Sequence, residues 1–182
     1  MKKILLLILF LANSFAFGSA KSKGVVYFDL GDTLINKINF NDPKARTHYM
    51  PGAYEHMKEL KDAGYLLGLI TNIPDEWGKT KLLKIAELKK VIRLRWEDKV
   101  PFDWNFFENR VFVPPKDELR KPNPYLFSEV RRRAGQDMKL FFEGEDPIEV
   151  SVATAQGFGA YQVFRKGFAN FPSLEEVEKN IK

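Results

Sequence analysis

With 182 residues, 45% of them hydrophobic and 29% charged, the chain has enough material for one ordinary buried core. It contains no cysteine, which excludes a lipoprotein anchor and any disulfide framework. Its formal charge of +5 comes from interspersed acids and bases, so the composition does not point to nucleic acid. Met1-Lys2-Lys3 is a positive start, Ile4 to Ala12 is an unbroken apolar run, and Gly18-Ser19-Ala20 offers small residues. This pattern predicts a secretory signal peptide over residues 1–20, cleaved after Ala20, with Ala16 the second candidate and a retained anchor the lesser reading. The mature chain is then expected in the periplasm or outside the cell, touching the membrane only during export. Its charge falls to +3, because two lysines and no acids are removed. Residues 21–182 are expected to form a single domain.

Val25-Val26-Tyr27-Phe28 is a continuous apolar run that ends directly in Asp29, followed by Gly31-Asp32-Thr33. Such a run reads as a strand buried on both faces, and Gly31 permits a sharp turn and close backbone approach at its end. Residues 35–50 are irregular, with Asn36, Asn39, Asn41, Asp42 and Pro43 as turn formers. Pro51-Gly52 opens a helix whose stripe is Ala53, Met57 and Leu60, and Ala63-Gly64 ends it. Residues 65–70 form a second apolar strand ending at Thr71-Asn72, and a helix is expected over 79–90. A short strand at 109–113 precedes Pro114-Pro115, and a helix follows over 122–134 with Arg131-Arg132-Arg133 as its solvated end. Residues 139–142 are a strand leading into Glu143-Gly144-Glu145-Asp146, then come a helix at 148–156 and a strand at 160–164. Ser173-Leu174-Glu175-Glu176 is a capping box that opens a C-terminal helix. Strands alternating with helices predict an α/β fold: a doubly wound, Rossmann-like parallel sheet with helices on both faces.

Parallel strands joined by right-handed crossovers point the same way, so Asp29, Thr71 and Glu145 should meet at one crevice, within reach of Lys121. Clustered oxygen ligands suit a hard cation such as Mg²⁺, and the hydroxyl and ammonium suit phosphate oxygens. A carboxylate facing a metal-bound phosphate can act as a nucleophile.

Phe28-Asp29-Leu30-Gly31-Asp32-Thr33-Leu34 resembles the first motif of the haloacid dehalogenase-like superfamily. Leu69-Ile70-Thr71-Asn72 resembles the second and Arg120-Lys121-Pro122-Asn123-Pro124 the third, while Phe142 to Val150 falls where the fourth belongs. The lead-in Met50-Pro51-Gly52-Ala53 and the tail Gly157-Phe158-Gly159-Ala160 fit as well, so the resemblance runs in order along nearly the whole mature chain. It implies a Mg²⁺-assisted phosphatase working through an aspartyl-phosphate. Asp29 would be the nucleophile, and Thr71, Asn72 and Lys121 would bind the phosphoryl oxygens, Lys121 also keeping Asp29 ionised. Asp29, the Gly31 carbonyl and Glu145 would hold the metal, with Glu149 ligating it or orienting the ligands from behind.

Two departures stand out. Family phosphatases carry a general acid two residues after the nucleophile, where this chain has Gly31, and the neighbouring carboxylate is Asp32. On an extended segment Asp32 would point away from the leaving group, unless the turn re-aims it. Glu145 and Glu149 stand in place of aspartates, each one methylene longer, with Asp146 available to compensate. Only 16 residues separate the first motif's last residue from Pro51, and 48 separate Asn72 from Lys121, too few for an inserted cap of about 50 residues or more beside the core elements. A capless site would admit a macromolecular phosphorylated substrate, or be closed by a second copy of the chain. The aromatic segment from Trp96 to Phe112 is read as core, or else as a contact surface, and His48 as a candidate substitute acid. The expected activity is slow phosphomonoester hydrolysis. The alternative is a degenerate member binding metal, phosphate or a partner without turnover, which Gly31 favours. Metal-free carbon–halogen hydrolysis ranks below both.

Overall fold

The computed structural model describes residues 22–36, 42, 44–165 and 169–182. The signal peptide and its cleavage sites, and the turn formers Asn39, Asn41 and Pro43, lie outside the described residues. Five strands form one parallel sheet: β1 (Val25–Phe28), β2 (Leu66–Ile70), β3 (Val111–Phe112), β4 (Leu140–Gly144) and β5 (Gly159–Gln162). Their order is β3-β2-β1-β4-β5, so β1 is central and the order of strand addition switches from one side of it to the other, as in a doubly wound fold. Phe28 lies opposite Leu69 of β2 and Glu143 of β4, which sets the ends of the three strands level.

Side chains alternate across β1, and both faces are buried. Val26 and Phe28 pack with α1 (Ala53–Asp62), α2 (Lys81–Arg95) and α5 (Leu174–Asn180). Val25 and Tyr27 pack with α3 (Tyr125–Ala134) and α4 (Pro147–Ala155). This two-sided burial is why the strand reads as a continuous apolar run instead of an alternating one. Two short strands, β6 (Phe164–Arg165) and β7 (Ala169–Asn170), form an antiparallel pair that the sequence pattern does not signal.

The helices differ from expectation mainly at their ends. Helix α2 continues to Arg95 because no glycine or proline interrupts it and Ile92 is buried one turn beyond Leu88. Helix α3 starts at Tyr125, since Pro122 and Pro124 hold the preceding residues in a turn. Helix α5 opens with the expected capping box, Ser173 and Glu176 bonding reciprocally. At the end of α3, Arg132 and Arg133 are solvated and pair with Glu129, whereas Arg131 donates to the Met138 carbonyl at 2.7 Å and to the Gly157 carbonyl.

No cap domain interrupts the described residues. Residues 34–36 bond back to 48–50, through Met50 N–H to the Leu34 carbonyl and Asn36 N–H to the His48 carbonyl. Between β2 and β3 the aromatic segment packs as core: Phe102, Phe106, Phe107 and Phe112 are buried, with Phe102 stacked on Tyr49 and Phe107. Among the described residues no helix is long and apolar enough to cross a membrane.

Two glycines make opposite demands. A β-carbon on Gly159 would strike the Asn180 carbonyl and the Phe141 ring, whereas one on Gly31 meets nothing within 4 Å. Gly159→Ala is therefore expected to destabilise by about 1–3 kcal/mol. Gly31→Ala should lie within about 0.5 kcal/mol of the parent. Denaturant unfolding of both variants checks the contrast.

Candidate active site

Asp29 follows β1 directly, and its N–H extends the ladder to the Glu143 carbonyl at 2.9 Å. This fixes the main chain beneath the Asp29 side chain, which is 12% exposed. The buried Lys121 ammonium donates to Asp29 Oδ1 at 2.7 Å and to Glu149 Oε2 at 2.5 Å. Burial alone would pull the Lys121 pKa down, but Asp29 and Glu149 outweigh it and push it up, so Lys121 stays charged at neutral pH.

Asn72 holds the loop that carries this lysine. Its Oδ1 accepts from Lys121 N–H at 2.8 Å and its Nδ2 donates to the Lys121 carbonyl at 2.9 Å. The expected phosphate donor thus also sets the position of Lys121. Thr71 is buried beside it, anchored by its N–H to the Phe112 carbonyl at 3.0 Å.

Residues 30–35 form a tight turn, with Leu34 and Ile35 N–H groups both donating to the Leu30 carbonyl. Asp32 sits in it at φ 59°, in the left-handed region. The segment is therefore not extended, and Asp32 lines the same cavity as Asp29 and Gly31. Thr33, wholly buried, donates to Glu145 Oε2 at 2.9 Å. Glu145 is pushed up to about 7 from its ordinary 4.5, first by burial and then by the Asp29 carboxylate. Glu149, in the first turn of α4, is raised by burial, with Lys121 opposing the shift and Asp29 adding to it. Asp146 is the N-cap of α4, accepting from Ile148 N–H at 2.7 Å and Glu149 N–H at 3.4 Å, so its carboxylate is engaged in capping.

These groups surround a cavity of about 340 Å³. Asp29, Asp32, Thr71, Asn72, Glu145 and Glu149 supply its polar lining, and Leu30, Ile35, Ile73 and Leu88 its apolar lining. Asp29, Gly31, Asp32, Thr71, Asn72, Glu145 and Glu149 thus share one cavity, with Lys121 directly behind it. His48 instead pairs with Glu97 at 3.0 Å on the surface, and His56 is buried against Glu143 at 2.9 Å. A larger cavity of about 540 Å³ lies beyond α2, with Lys89, Lys90, Arg93, Trp96, Phe102 and Trp104 among its lining residues. Among the described residues its lining has no carboxylate or hydroxyl.

The donor set fits a small hard cation. Asp29 and Glu145 offer oxygen only, and their mutual repulsion is what a cation relieves. Mg²⁺ takes one or two carboxylates plus water and phosphate, so it does not need the three-residue acidic or histidine cluster that is absent among the described residues. As placed, Glu149 accepts from Lys121 through Oε2 and also lines the cavity.

Sequence reasoning missed Thr33 and Lys84. Thr33 carried a signal, a hydroxyl in the turn directly after the nucleophile. Lys84 carried none, since a lysine within a helix reads as solvated. It is fully buried, its Nζ reaching Asp75 Oδ1 at 2.5 Å and the Pro114 carbonyl at 2.9 Å, and so ties the loop after β2 to the loop after β3.

The raised Glu145 pKa has a defined consequence for stability. The folded state holds this proton more tightly than the unfolded chain, so metal-free stability falls as pH rises from 4.5 to about 7. Glu145→Gln, which keeps an acceptor for Thr33, should melt above the parent near pH 8 in chelator, with the gap closing toward about pH 4. Thermal melts across pH check this, and a gap independent of pH would contradict it.

No family model and no curated protein matches the sequence. Solved structures do match the fold. The D,D-heptose 1,7-bisphosphate phosphatase of B. bronchiseptica, complexed with magnesium and phosphate, aligns at TM-score 0.54 and 15% identity over 86% of this chain and 96% of that one. A Mesorhizobium loti protein assigned as a haloacid dehalogenase-like phosphatase aligns at 0.51 and 14%, covering 87% of this chain and 84% of its own. A Bacteroides fragilis protein assigned as a haloacid dehalogenase-like hydrolase aligns at 0.52 and 15%, covering 88% and 94%. With its four motifs in order around one crevice, the chain has the haloacid dehalogenase-like fold.

Proposed function

We propose that the chain is an exported, Mg²⁺-dependent phosphomonoester hydrolase acting through a phosphorylated Asp29. The observation that carries this reading is the buried Lys121 ammonium 2.7 Å from Asp29 Oδ1, an ion pair set at the floor of a cavity. A core strand has little structural use for such a charge. The solved phosphatase of the same fold, complexed with magnesium and phosphate, supports the choice of ligands. Export rests on the basic and apolar pattern of residues 1–20.

The free oxygen of Asp29 attacks phosphorus and the bond to the ester oxygen breaks, leaving the phosphoryl group on Asp29. Two of the three Lys121 donors are occupied, so the third is available to a phosphoryl oxygen together with Thr71. Asp32, which lines the cavity from a left-handed position in the turn, would give the leaving oxygen a proton and later take one from water. When bound, Mg²⁺ would be held by Asp29, Glu145 and the Gly31 carbonyl, and would neutralise charge on the phosphoryl oxygens.

A second reading has its own observation. Gly31 occupies the position of the expected general acid and has no side chain, which favours a domain that binds phosphate without turning it over. One variant series separates the two. Wild-type protein should hydrolyse a generic phosphomonoester with Mg²⁺, and Asp29→Asn should reduce the rate by at least about 10³-fold, as for loss of an essential catalytic group. Undiminished turnover in that variant would contradict the nucleophile. Because a side chain at residue 31 meets open space, Gly31→Asp should raise kcat by about 10²-fold, while Gly31→Ala should not. A rate gain in Gly31→Asp from an inactive parent would establish the binding reading for the natural chain.

A further inference from the structure

Helix α2 lines two cavities. Leu88 belongs to the candidate active site, whereas Ala86, Lys89 and Arg93, spaced at i, i+3 and i+7 on another face, line the larger cavity of about 540 Å³. Its far wall is the aromatic segment that follows α2, and internal bonds fix that wall in place. The Trp96 indole N–H donates to the Val100 carbonyl at 2.8 Å. Tyr49 clamps the loop beyond, its hydroxyl donating to the Pro101 carbonyl at 3.3 Å and accepting from Asp103 N–H at 3.1 Å. Tyr49 meets Trp96 edge to face at 4.8 Å, and Phe102 meets Trp104 in the same way at 4.7 Å. Both indoles are half-buried and line the cavity with Pro101, so a rigid apolar wall is formed in advance of any ligand. The facing charges are all of one sign. Lys90 is paired with Glu87 at 3.0 Å, but Lys89 and Arg93 have no carboxylate partner among the described residues. The Lys89 ammonium lies 5.1 Å from the Trp104 ring centroid, and an ammonium held over a ring face keeps N–H donors for an anion.

We propose that this cavity is a second binding site, for a small aromatic carboxylate. The ring lies against Trp96, Pro101 and Trp104, and the carboxylate bonds to Lys89 and Arg93. An apolar wall with a few convergent polar groups, in a cavity of this volume, suits a small organic ligand. A neutral arene would leave both cations unmet, and a bare anion would leave the aromatic wall in water. A molecule that joins the two uses both. Arg93 favours a planar carboxylate, because its guanidinium offers two parallel donors. The two cations stand one helical turn apart and converge on a single anionic group. Apart from the paired Lys90, no further cation lines the cavity among the described residues, as a nucleic-acid strand with its row of phosphates would require. The site is separate from Asp29 and does not rest on the phosphatase reading.

Calorimetry of the mature protein tests this, in chelator so that no metal recruits a carboxylate to the other cavity. It would compare 2-naphthoate with its uncharged counterpart 2-naphthylmethanol and with acetate. Naphthoate should bind at least about tenfold tighter than the alcohol, the difference that one hydrogen bond to a charged group makes. Acetate should give no measurable binding. The double variant Lys89→Gln, Arg93→Gln should lower naphthoate affinity at least about tenfold and leave the alcohol's unchanged. Ala86→Trp, at an exposed helix position, should fill the cavity and weaken both ligands. Thermal melts confirm that the variants fold. Equal binding of the alcohol, no binding of naphthoate, or naphthoate affinity indifferent to these variants overturns the proposal. Tighter binding of an oligothymidylate, or a dimer of the protein that Ala86→Trp dissociates, would assign the cavity to nucleic acid or to a second copy and overturn it as well.

Discussion

A buried ammonium between two carboxylates is the constraint on which the site depends. Lys121, with its side chain almost wholly out of water, must be paired, because an isolated charge in such a place costs several kcal/mol. Asp29 and Glu149 supply the pairs, and in doing so they connect the end of β1, the loop after β3 and the first turn of α4. Three separate parts of the chain are therefore held at one point by a single side chain. The arrangement is also incomplete in charge. One lysine serves Asp29 and Glu149, while Glu145 accepts from the Thr33 hydroxyl, and burial and then the Asp29 carboxylate raise its proton affinity. On the proposed reading, a divalent cation, and through it a phosphate, would relieve the repulsion between Asp29 and Glu145.

The rest of the fold holds that point in place. Level strand ends bring Asp29, Thr71 and Glu145 to one edge of the sheet. Asn72 grips both sides of the Lys121 peptide, and buried Lys84 ties the two loops that carry Asn72 and Lys121. Asp75 and Asp117 reinforce the tie by accepting each other's backbone N–H groups, at 2.9 and 3.2 Å. The turn after Asp29 then decides how the site is equipped. Its left-handed residue is Asp32, so a carboxylate reaches the cavity from a position next to the usual one, while Gly31 leaves the usual one open.

Much of this was legible in the sequence. The two-sided burial of β1 showed as an unbroken apolar run, and parallel strands with right-handed crossovers placed Asp29, Thr71 and Glu145 at a common edge within reach of Lys121. What remained hidden was local geometry. The direction of Asp32 depends on a backbone angle that residue identity does not fix. Asp146 looked like a spare ligand but caps α4, since an aspartate just before a helix can serve either end. Glu149, expected either as a metal ligand or as an orienting group behind one, pairs with Lys121 through Oε2 and also lines the cavity. Lys84 shows the limit most clearly, because its burial depends on carbonyls and a carboxylate contributed by two distant loops.

The central claim is that Asp29 is the group that becomes phosphorylated. The direct measurement is borohydride trapping of the mature protein, quenched during incubation with Mg²⁺ and a reactive phosphomonoester, followed by peptide mass spectrometry. Reduction of an acyl phosphate at Asp29 converts that residue to homoserine, and the account predicts this change at residue 29 and at no other carboxylate. Trapping at Asp32, Glu145 or Glu149, or turnover with Asp29 unmodified throughout, would contradict it.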